Sequence, residues 1–316
     1  MWLDGRMDIR GKKIFVGLSG GVDSAVSAAL LQQAGAQVTG VFIKGWYPPG
    51  MLCTWALERR DAMRVAARLH IPFLTLDASV EYKKSVIDYL LAEYRAGRTP
   101  NPDVMCNKEV KFGAFYRFAM AHGADAIATG HYRSGEKDQS YFLWAVPKNV
   151  LDATLFPVGN LEKEKVRVLA KQFNLPVSKK KDSQGICFLG AVSVKEFLEK
   201  ELGSDNPALL YTLGQRTPLP NGPWYVVGKD VEKKEIMVSK TRASGAHTIP
   251  FTDTNWQSEP VGELEAQYRY RGPRVAGHIE DARFISAGPL PEIPVPGQSI
   301  VLYRDDELVG GGSITG

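Results

Sequence analysis

The segment 16–31, VGLSGGVDSAVSAALL, concentrates chemistry-bearing residues: glycines, serines and one aspartate sit where an apolar run meets a helical pattern. A glycine-rich strand-to-helix turn aims backbone N–H groups and the positive end of a helix at one point, an arrangement that holds phosphate. Ser19 and Ser24 offer hydroxyls, Gly20 and Gly21 let a ligand approach the backbone, and Asp23 suits a hard cation such as Mg²⁺. Two other phosphate fingerprints are absent from the sequence: no GxxxxGK[ST] brings a lysine to a terminal phosphate, and no GxGxxG marks a dinucleotide site. The chain has three cysteines, Cys53, Cys106 and Cys187, an odd number without a CxxC pair. That usage argues against a disulfide framework or a structural zinc site. Cys106 lies in NPDVMCNKEVKF and Cys187 in KKDSQGICFLG, both polar and punctuated by Pro or Gly, so both thiols are expected to be exposed. Nearby lysines favour the thiolate, the form that attacks and carries sulfur. Asp103, three residues before Cys106, is placed to act as a general acid or base.

The elements that must position these groups are readable in outline. From Lys12 onward, short β-rich runs (IFVGL, VTGVFI, FLTLDA, ADAIATG) alternate with helical patterns over about 23–34, 56–69, 80–94 and 110–122. Such alternation builds a parallel sheet with right-handed crossovers, so residues 1–147 are expected to form one doubly wound α/β domain. The prolines and asparagines of RTPNPDVMCNKEVK predict a long irregular loop. Residues 148–212 predict a small helical central domain, with LEKEKVRVLAKQF and SVKEFLEKEL as amphipathic helices and no strand-like run between them. Residues 213–316 switch to turn-punctuated strands (PWYVVGKD, KEIMVS, ELEAQYRYRG, ARFISA, QSIVLYRDDELVGGGSI) and predict an antiparallel sheet or small barrel. The formal charge of +4 is too small to name a partner. Over Leu161–Lys181, however, seven Lys or Arg face two Glu, a local excess that suits a polyanion. With 44% hydrophobic residues, no apolar leader pattern at the N-terminus and no long uncharged apolar stretch, the chain reads as a cytoplasmic protein without a membrane partner.

SGGVDS resembles the pyrophosphate-binding loop of the ATP pyrophosphatase superfamily, whose members split ATP between the α and β phosphates and adenylate a carbonyl oxygen. Together with AGRTPNPDVMCNKEVKF, ATGHY, KDQSYFL, LFPVG, KKKDSQGICF, YTLGQR, PWYVV and PGQS, it makes nearly the whole chain similar to the tRNA-uridine 2-sulfurtransferases, or tRNA-specific 2-thiouridylases. The resemblance implies an ATP pyrophosphatase domain, a small central tRNA-binding domain and a C-terminal β-barrel. It implies that ATP adenylates the C2 oxygen of the wobble uridine of tRNA, and that sulfur carried as a persulfide on Cys187 replaces AMP. Cys106 then resolves the intermediate through a transient disulfide. It places Gly17, Leu18, Ser19, Gly20, Gly21, Val22, Asp23 and Ser24 on the pyrophosphate, with Mg²⁺ at Asp23, and Ile43 and Gly130 on the adenosine. Asn101, Pro102 and Asp103 would meet the target base. His131, Lys137, Asp138, Gln139, Arg269, Tyr270 and Gln298 would contact the tRNA. The partners so implied are tRNA, at its anticodon region, and a sulfur-relay protein or cysteine desulfurase as persulfide donor; a monomer is expected.

The sequence also departs from that family. The connection from His131 to Lys137 is shorter than usual, and the stretch before YTLGQR lacks a Gly- and His-containing loop, so tRNA contacts are expected to be lost or remade there. Other readings of the same residues stay open. Cys53, Cys106 and Cys187 are enough to ligate an iron-sulfur cluster with one open iron. The loop alone also fits an amidating ligase, in which neither thiol matters, and the barrel alone an RNA-binding module.

Overall fold

The computed structural model describes residues 8–48, 55–133, 135–181 and 193–316. The chain divides into two compact units, one from Met1–Lys84 and Cys106–Ala191, the other from Ser85–Met105 and Val192–Gly316.

The first unit is built on a five-stranded, wholly parallel sheet of β1 (Lys13–Gly17), β2 (Gln37–Lys44), β3 (Phe73–Asp77), β4 (Ala126–Ala128) and β5 (Thr154–Leu155), in the order β3-β2-β1-β4-β5. The central strand β1 reads KIFVG because both its faces are covered: Ile14, Phe15 and Val16 are all buried. Helix α1 (Val22–Gln33) has no polar face. Its small residues Ser24, Ala25, Ser27, Ala28 and Ala29 are buried with Val26 and Leu31, which lets the helix lie close on the sheet. Helix α2 (Trp55–Leu69) is amphipathic and buries Ala62, Val65, Ala66 and Leu69. The doubly wound arrangement expected from the sequence is therefore present, and the two-residue strand β5 extends it past residue 147.

The segment expected to be irregular is so over 98–101 and helical from Pro102 onward. An α-turn over Pro102–Met105 is followed by a π-helical run over Cys106–Ala114 and an α-helix over Phe115–Ala121. The residues read as breakers are start signals. Pro102 occupies the first helical position, where its missing N–H costs nothing, and Asn101 Oδ1 accepts the Asp103 N–H at 3.2 Å.

In the second unit, Ser193 and Glu196 form a reciprocal capping box that starts the helix Val194–Leu202. A three-stranded antiparallel sheet follows, with β6 (Arg216–Thr217), β7 (Trp224–Asp230) and β8 (Glu235–Ser239) in that order. The remaining strands close into a six-stranded antiparallel barrel: β9 (Thr248–Trp256), β10 (Leu264–Gln267), β11 (Val275–Glu280), β12 (Arg283–Ser286), β13 (Ser299–Arg304) and β14 (Glu307–Ile314). Its order is β10-β11-β12-β9-β14-β13, with β10 pairing to β13 to close it around Ile249, Phe251, Phe284, Ile300 and Leu302. Asp305 and Asp306, both at positive φ, make the tight turn between β13 and β14. The sequence reading missed β6, β9 and β11. Among the described residues no helix is long and apolar enough to cross a membrane.

Candidate active site

The loop from Gly17 to Ser24 joins β1 to α1 and is held by its own serines. Ser19 Oγ and Ser24 Oγ lie 3.2 Å apart, the Ser19 N–H donates to Ser24 Oγ at 3.3 Å, and the Gly21 N–H donates to Ser19 Oγ at 3.3 Å. The hydroxyls thus shape the turn. Gly20 is obligatory here: its φ is +75°, and a Cβ would sit 2.4 Å from the Glu58 carbonyl oxygen. The side chains of Leu18 and Val22 are buried in the core, so these two positions contribute only backbone to the lining of the turn.

The adenosine positions named from the sequence gather at the same turn. A Cβ on Gly17 would lie 3.9 Å from Ile43 Cδ1, and one on Gly130 would lie 2.7 Å from the Ser24 amide nitrogen. Gly130 is therefore what lets the chain leaving β4 pass across the start of α1.

Asp23 meets the structure differently from its expected role. Lys163 Nζ donates to its Oδ1 and Oδ2 at 2.6 and 2.8 Å, and the Tyr132 hydroxyl donates to Oδ1 at 2.7 Å. The Lys163 side chain is only 10% exposed. A second lysine grips the loop from another direction, since Lys180 Nζ donates to the Gly20 carbonyl at 3.1 Å and to Asp61 Oδ2 at 2.8 Å. Among the described residues no group of three His, Cys, Asp or Glu gathers into a metal site. The residues present do not fit a resident Mg²⁺ at Asp23, because ammonium and hydroxyl donors already take both of its oxygens. Lys163, Tyr132, Lys180 and Asp61 were not singled out from the sequence. The signal that contained the two lysines was the basic excess over Leu161–Lys181; Tyr132 was inside the GHY motif.

His131 is partly buried. Its Nδ1 lies 2.9 Å from Thr129 Oγ1, and its ring packs 5.3 Å from Phe112 and edge-on to Phe156 at 6.5 Å. Burial, followed by the positive charge of Lys111, pushes its pKa down to about 3. The imidazole is neutral across the physiological range, so it offers a hydrogen bond or a ring and no charge. Gln139 is stitched to the residue after it, accepting the Tyr132 N–H at 3.1 Å while its own N–H donates to the Tyr132 carbonyl at 3.0 Å. Asp138 Oδ1 accepts the Ser140 N–H at 2.8 Å, and Lys137 is exposed.

Cys106 is 4% exposed, which corrects the expectation of an exposed thiol. The reason is the helical register: Cys106 and Asn107 open a packed π-helical run, and Asn107 Nδ2 donates to the Phe142 carbonyl at 3.0 Å. Cys53 and Cys187 lie outside the described residues.

In the second unit, Gln298 Nε2 donates to the Thr99 carbonyl at 2.7 Å and lies 3.3 Å from that of Pro100. The Thr99 N–H donates to the Pro296 carbonyl at 2.9 Å. The barrel loop PGQS thereby fixes the stretch that leads into Asn101, Pro102 and Asp103. Arg269 is engaged within its own unit: its Nε lies 2.8 Å from Glu292 Oε2 and its Nη2 donates to the Leu213 carbonyl at 3.2 Å. The neighbouring Tyr270 is exposed and carries the Arg271 guanidinium 5.2 Å from its ring.

Comparison with known proteins follows the same two halves. The family described as the tRNA methyl transferase HUP domain matches residues 12–191, and the one described as the aminomethyltransferase beta-barrel domain matches residues 246–314. The tRNA-specific 2-thiouridylase MnmA of Streptococcus thermophilus (strain ATCC BAA-491 / LMD-9) is 39% identical over 357 aligned positions, covering 96% of this chain and 95% of that protein. The chain belongs to the tRNA-specific 2-thiouridylase family. The protein of the same name from Streptococcus pyogenes serotype M1 is also 39% identical, over 96% of this chain and 95% of its own length. An alignment longer than the 316-residue chain means that these family members carry stretches this chain lacks. Among solved structures, a 4-thiouridine synthetase in complex with RNA and bound ATP is 23% identical, covers 63% of this chain and 52% of that one, and has a TM-score of 0.39.

Proposed function

We propose that this protein is an ATP-dependent tRNA sulfurtransferase that converts the wobble uridine of tRNA to 2-thiouridine. Family membership over almost the full length of the chain carries the reading. The β1–α1 turn supports it, offering a helix N-terminus and a glycine backbone to a polyphosphate.

The uracil C2 oxygen is a poor leaving group. In the proposed reaction it attacks the α-phosphate of ATP, pyrophosphate departs into the loop Gly17–Ser24, and the oxygen becomes part of an AMP leaving group. The terminal sulfur of a Cys187 persulfide attacks C2 and AMP departs. The Cys106 thiolate then attacks the Cys187 sulfur, leaving the outer sulfur on C2 and forming a Cys106–Cys187 disulfide, which a thiol reductant must reopen. Asp103 serves as general acid or base at the adenylated ring, beside Asn101 and Pro102 on the base. Mg²⁺ enters this reading only with the phosphates of the nucleotide. Ile43 and Gly130 receive the adenosine. His131, Lys137, Asp138, Gln139, Arg269, Tyr270 and Gln298 form the tRNA-side set, within a division of labour among residues 1–147, 148–212 and 213–316. A relay protein or cysteine desulfurase reloads Cys187, and the enzyme acts as a monomer.

The test is thiolation of unmodified tRNA by purified protein with ATP, Mg²⁺ and a persulfide source. Wild type is expected to form 2-thiouridine, Cys187→Ser and Cys106→Ser none, and Cys53→Ala a wild-type amount. Equal product from the two serine variants and wild type overturns the two-thiol chemistry, and loss in Cys53→Ala with a brown protein replaces it with an iron-sulfur cluster.

A further inference from the structure

The second unit carries a strip of arginines and aromatic rings that neither the phosphate loop nor the thiols use. Arg216 on β6 lies directly opposite Tyr225 on β7, so both side chains stand on one face of the three-stranded sheet. The chain leaving β8 brings the Arg242 guanidinium 4.9 Å from the centre of the Tyr225 ring. Arg242 Nη1 donates to Glu292 Oε1 at 3.0 Å, and the other oxygen of that carboxylate lies 2.8 Å from Arg269 Nε. Tyr270 follows, exposed, with Arg271 against its ring. One carboxylate thus spaces two guanidiniums and leaves the group positive. Among the described residues, Glu292 is the one acceptor of the exposed Arg242 side chain, and the exposed Arg216 has none. The acids of the sheet, Asp230 and Glu235, face each other at its other end, beside the β7–β8 turn. A guanidinium laid on a ring keeps its edge donors outward and loses little freedom when it takes an oxyanion. A nucleic-acid backbone presents such oxyanions in a row, and aromatic rings among the cations suit RNA better than an acidic peptide.

We propose that Arg216, Tyr225 and Arg242 form a further RNA-contact surface, continuous through Glu292 with Arg269, the position that the family resemblance puts on tRNA. Arg216 and Arg242 each take a backbone phosphate. Tyr225 is a positioning residue that holds Arg242 flat, and Glu292 sets the distance between Arg242 and Arg269. Contacts of this kind fix where the RNA lies and are indifferent to its sequence. The inference rests on tRNA being the substrate.

The experiment titrates unmodified tRNA between 50 and 200 mM KCl with wild type, Arg216→Gln, Arg242→Gln, the Arg216→Gln/Arg242→Gln pair, Tyr225→Leu, the Tyr225→Leu/Arg242→Gln pair and Lys233→Gln. Lys233 lies in the β7–β8 turn, is well exposed and pairs with Asp230, so its variant removes the same charge away from the strip. Each single arginine variant is expected to bind tRNA several-fold more weakly and to lower the slope of log K against log salt by about 0.7–0.9, and the arginine pair by about twice that. Lys233→Gln is expected to keep the wild-type slope. The slope also separates contact from folding, because a variant that merely loses folded protein binds less and keeps its slope. Tyr225→Leu is expected to weaken binding less than Arg242→Gln and to add nothing in the pair with it; a full further loss there overturns the positioning role of the ring. Wild-type slopes in both arginine variants, or an equal drop in Lys233→Gln, overturn the surface. So does unchanged tRNA binding together with slower sulfur transfer from a purified cysteine desulfurase, which makes the strip a protein-docking face. Wild type that binds and thiolates tRNA beside variants with its own slope removes the strip alone. Wild type that binds no tRNA removes the substrate reading and the strip with it.

Discussion

A methyl group on Gly130 would sit 2.7 Å from the Ser24 amide nitrogen and 2.9 Å from the Asp23 carbonyl carbon, contacts with backbone that cannot turn aside. Gly130→Ala therefore pushes β4's exit off the start of α1, and we expect ATP affinity to fall at least tenfold with a lower Tm, measured by dialysis and thermal denaturation. His131, the next residue, gives a pH prediction whose sign is fixed by its burial. Its folded pKa of about 3 lies below the unfolded value of about 6.5, so the native state favours the neutral ring. That contribution is fully present above pH 6.5 and is lost as pH falls from there through about 3. His131→Gln should flatten the acid limb of stability against pH, seen in urea midpoints between pH 7 and 4. An unchanged slope would mean that the ring is protonated in the fold. Both positions were visible as ATGHY, but a motif names residues without saying that one is a steric gap and the other a partly buried, uncharged ring.

At the scale of elements, period and punctuation made the parallel sheet legible, because β1 and β2 carry the apolar runs IFV and VFI and α2 keeps a clear polar face. Where the same letters serve two structures, the reading failed. Pro102 and Asn101 look like a loop and start a helix, and this also buried Cys106. β9 carries Pro250 within it, and β11 carries Gly277, whose absent Cβ would lie 2.1 Å from the Ile285 carbonyl oxygen; each disguises a strand that only barrel closure requires. The ion pairs of Lys163 and Lys180 were legible only as local charge, since pairing across 140 and 119 residues is a property of the fold. Docking between elements gives the next prediction. Gln298→Ala removes the hydrogen bond to the Thr99 carbonyl and the contact with that of Pro100, a loss of about 1–2 kcal/mol of local order ahead of Asn101–Asp103. Thiolation should fall several-fold while ATP affinity stays at the wild-type level, because the partners of the phosphate loop lie in the other unit. An equal loss in both assays would make the substitution a general folding defect.

At the scale of the whole molecule, the question is what a shortened family member gives up. The curated relatives align over more positions than this chain possesses, and the sequence reading placed shortenings between His131 and Lys137 and ahead of Tyr211, on stretches assigned to tRNA contact. The phosphate loop and the elements that hold it are complete, so nucleotide handling should be that of a full-length relative. Binding of a polyanion depends instead on how many phosphates are neutralised, and each neutralised phosphate contributes about 0.7–0.9 to the slope of log K against log salt. With a net charge of only +4, little long-range attraction offsets a missing contact. The prediction is a shallower salt slope for tRNA binding by this protein than by a full-length relative, by about one unit per lost phosphate contact, and weaker binding at low salt. Titration of one tRNA with each protein between 50 and 200 mM KCl reads both quantities. Equal slopes would mean that other basic residues, such as those over Leu161–Lys181, have remade the contacts, and charge-neutral substitutions at Lys165 and Lys171 should then lower the slope here and leave it unchanged in the longer relative.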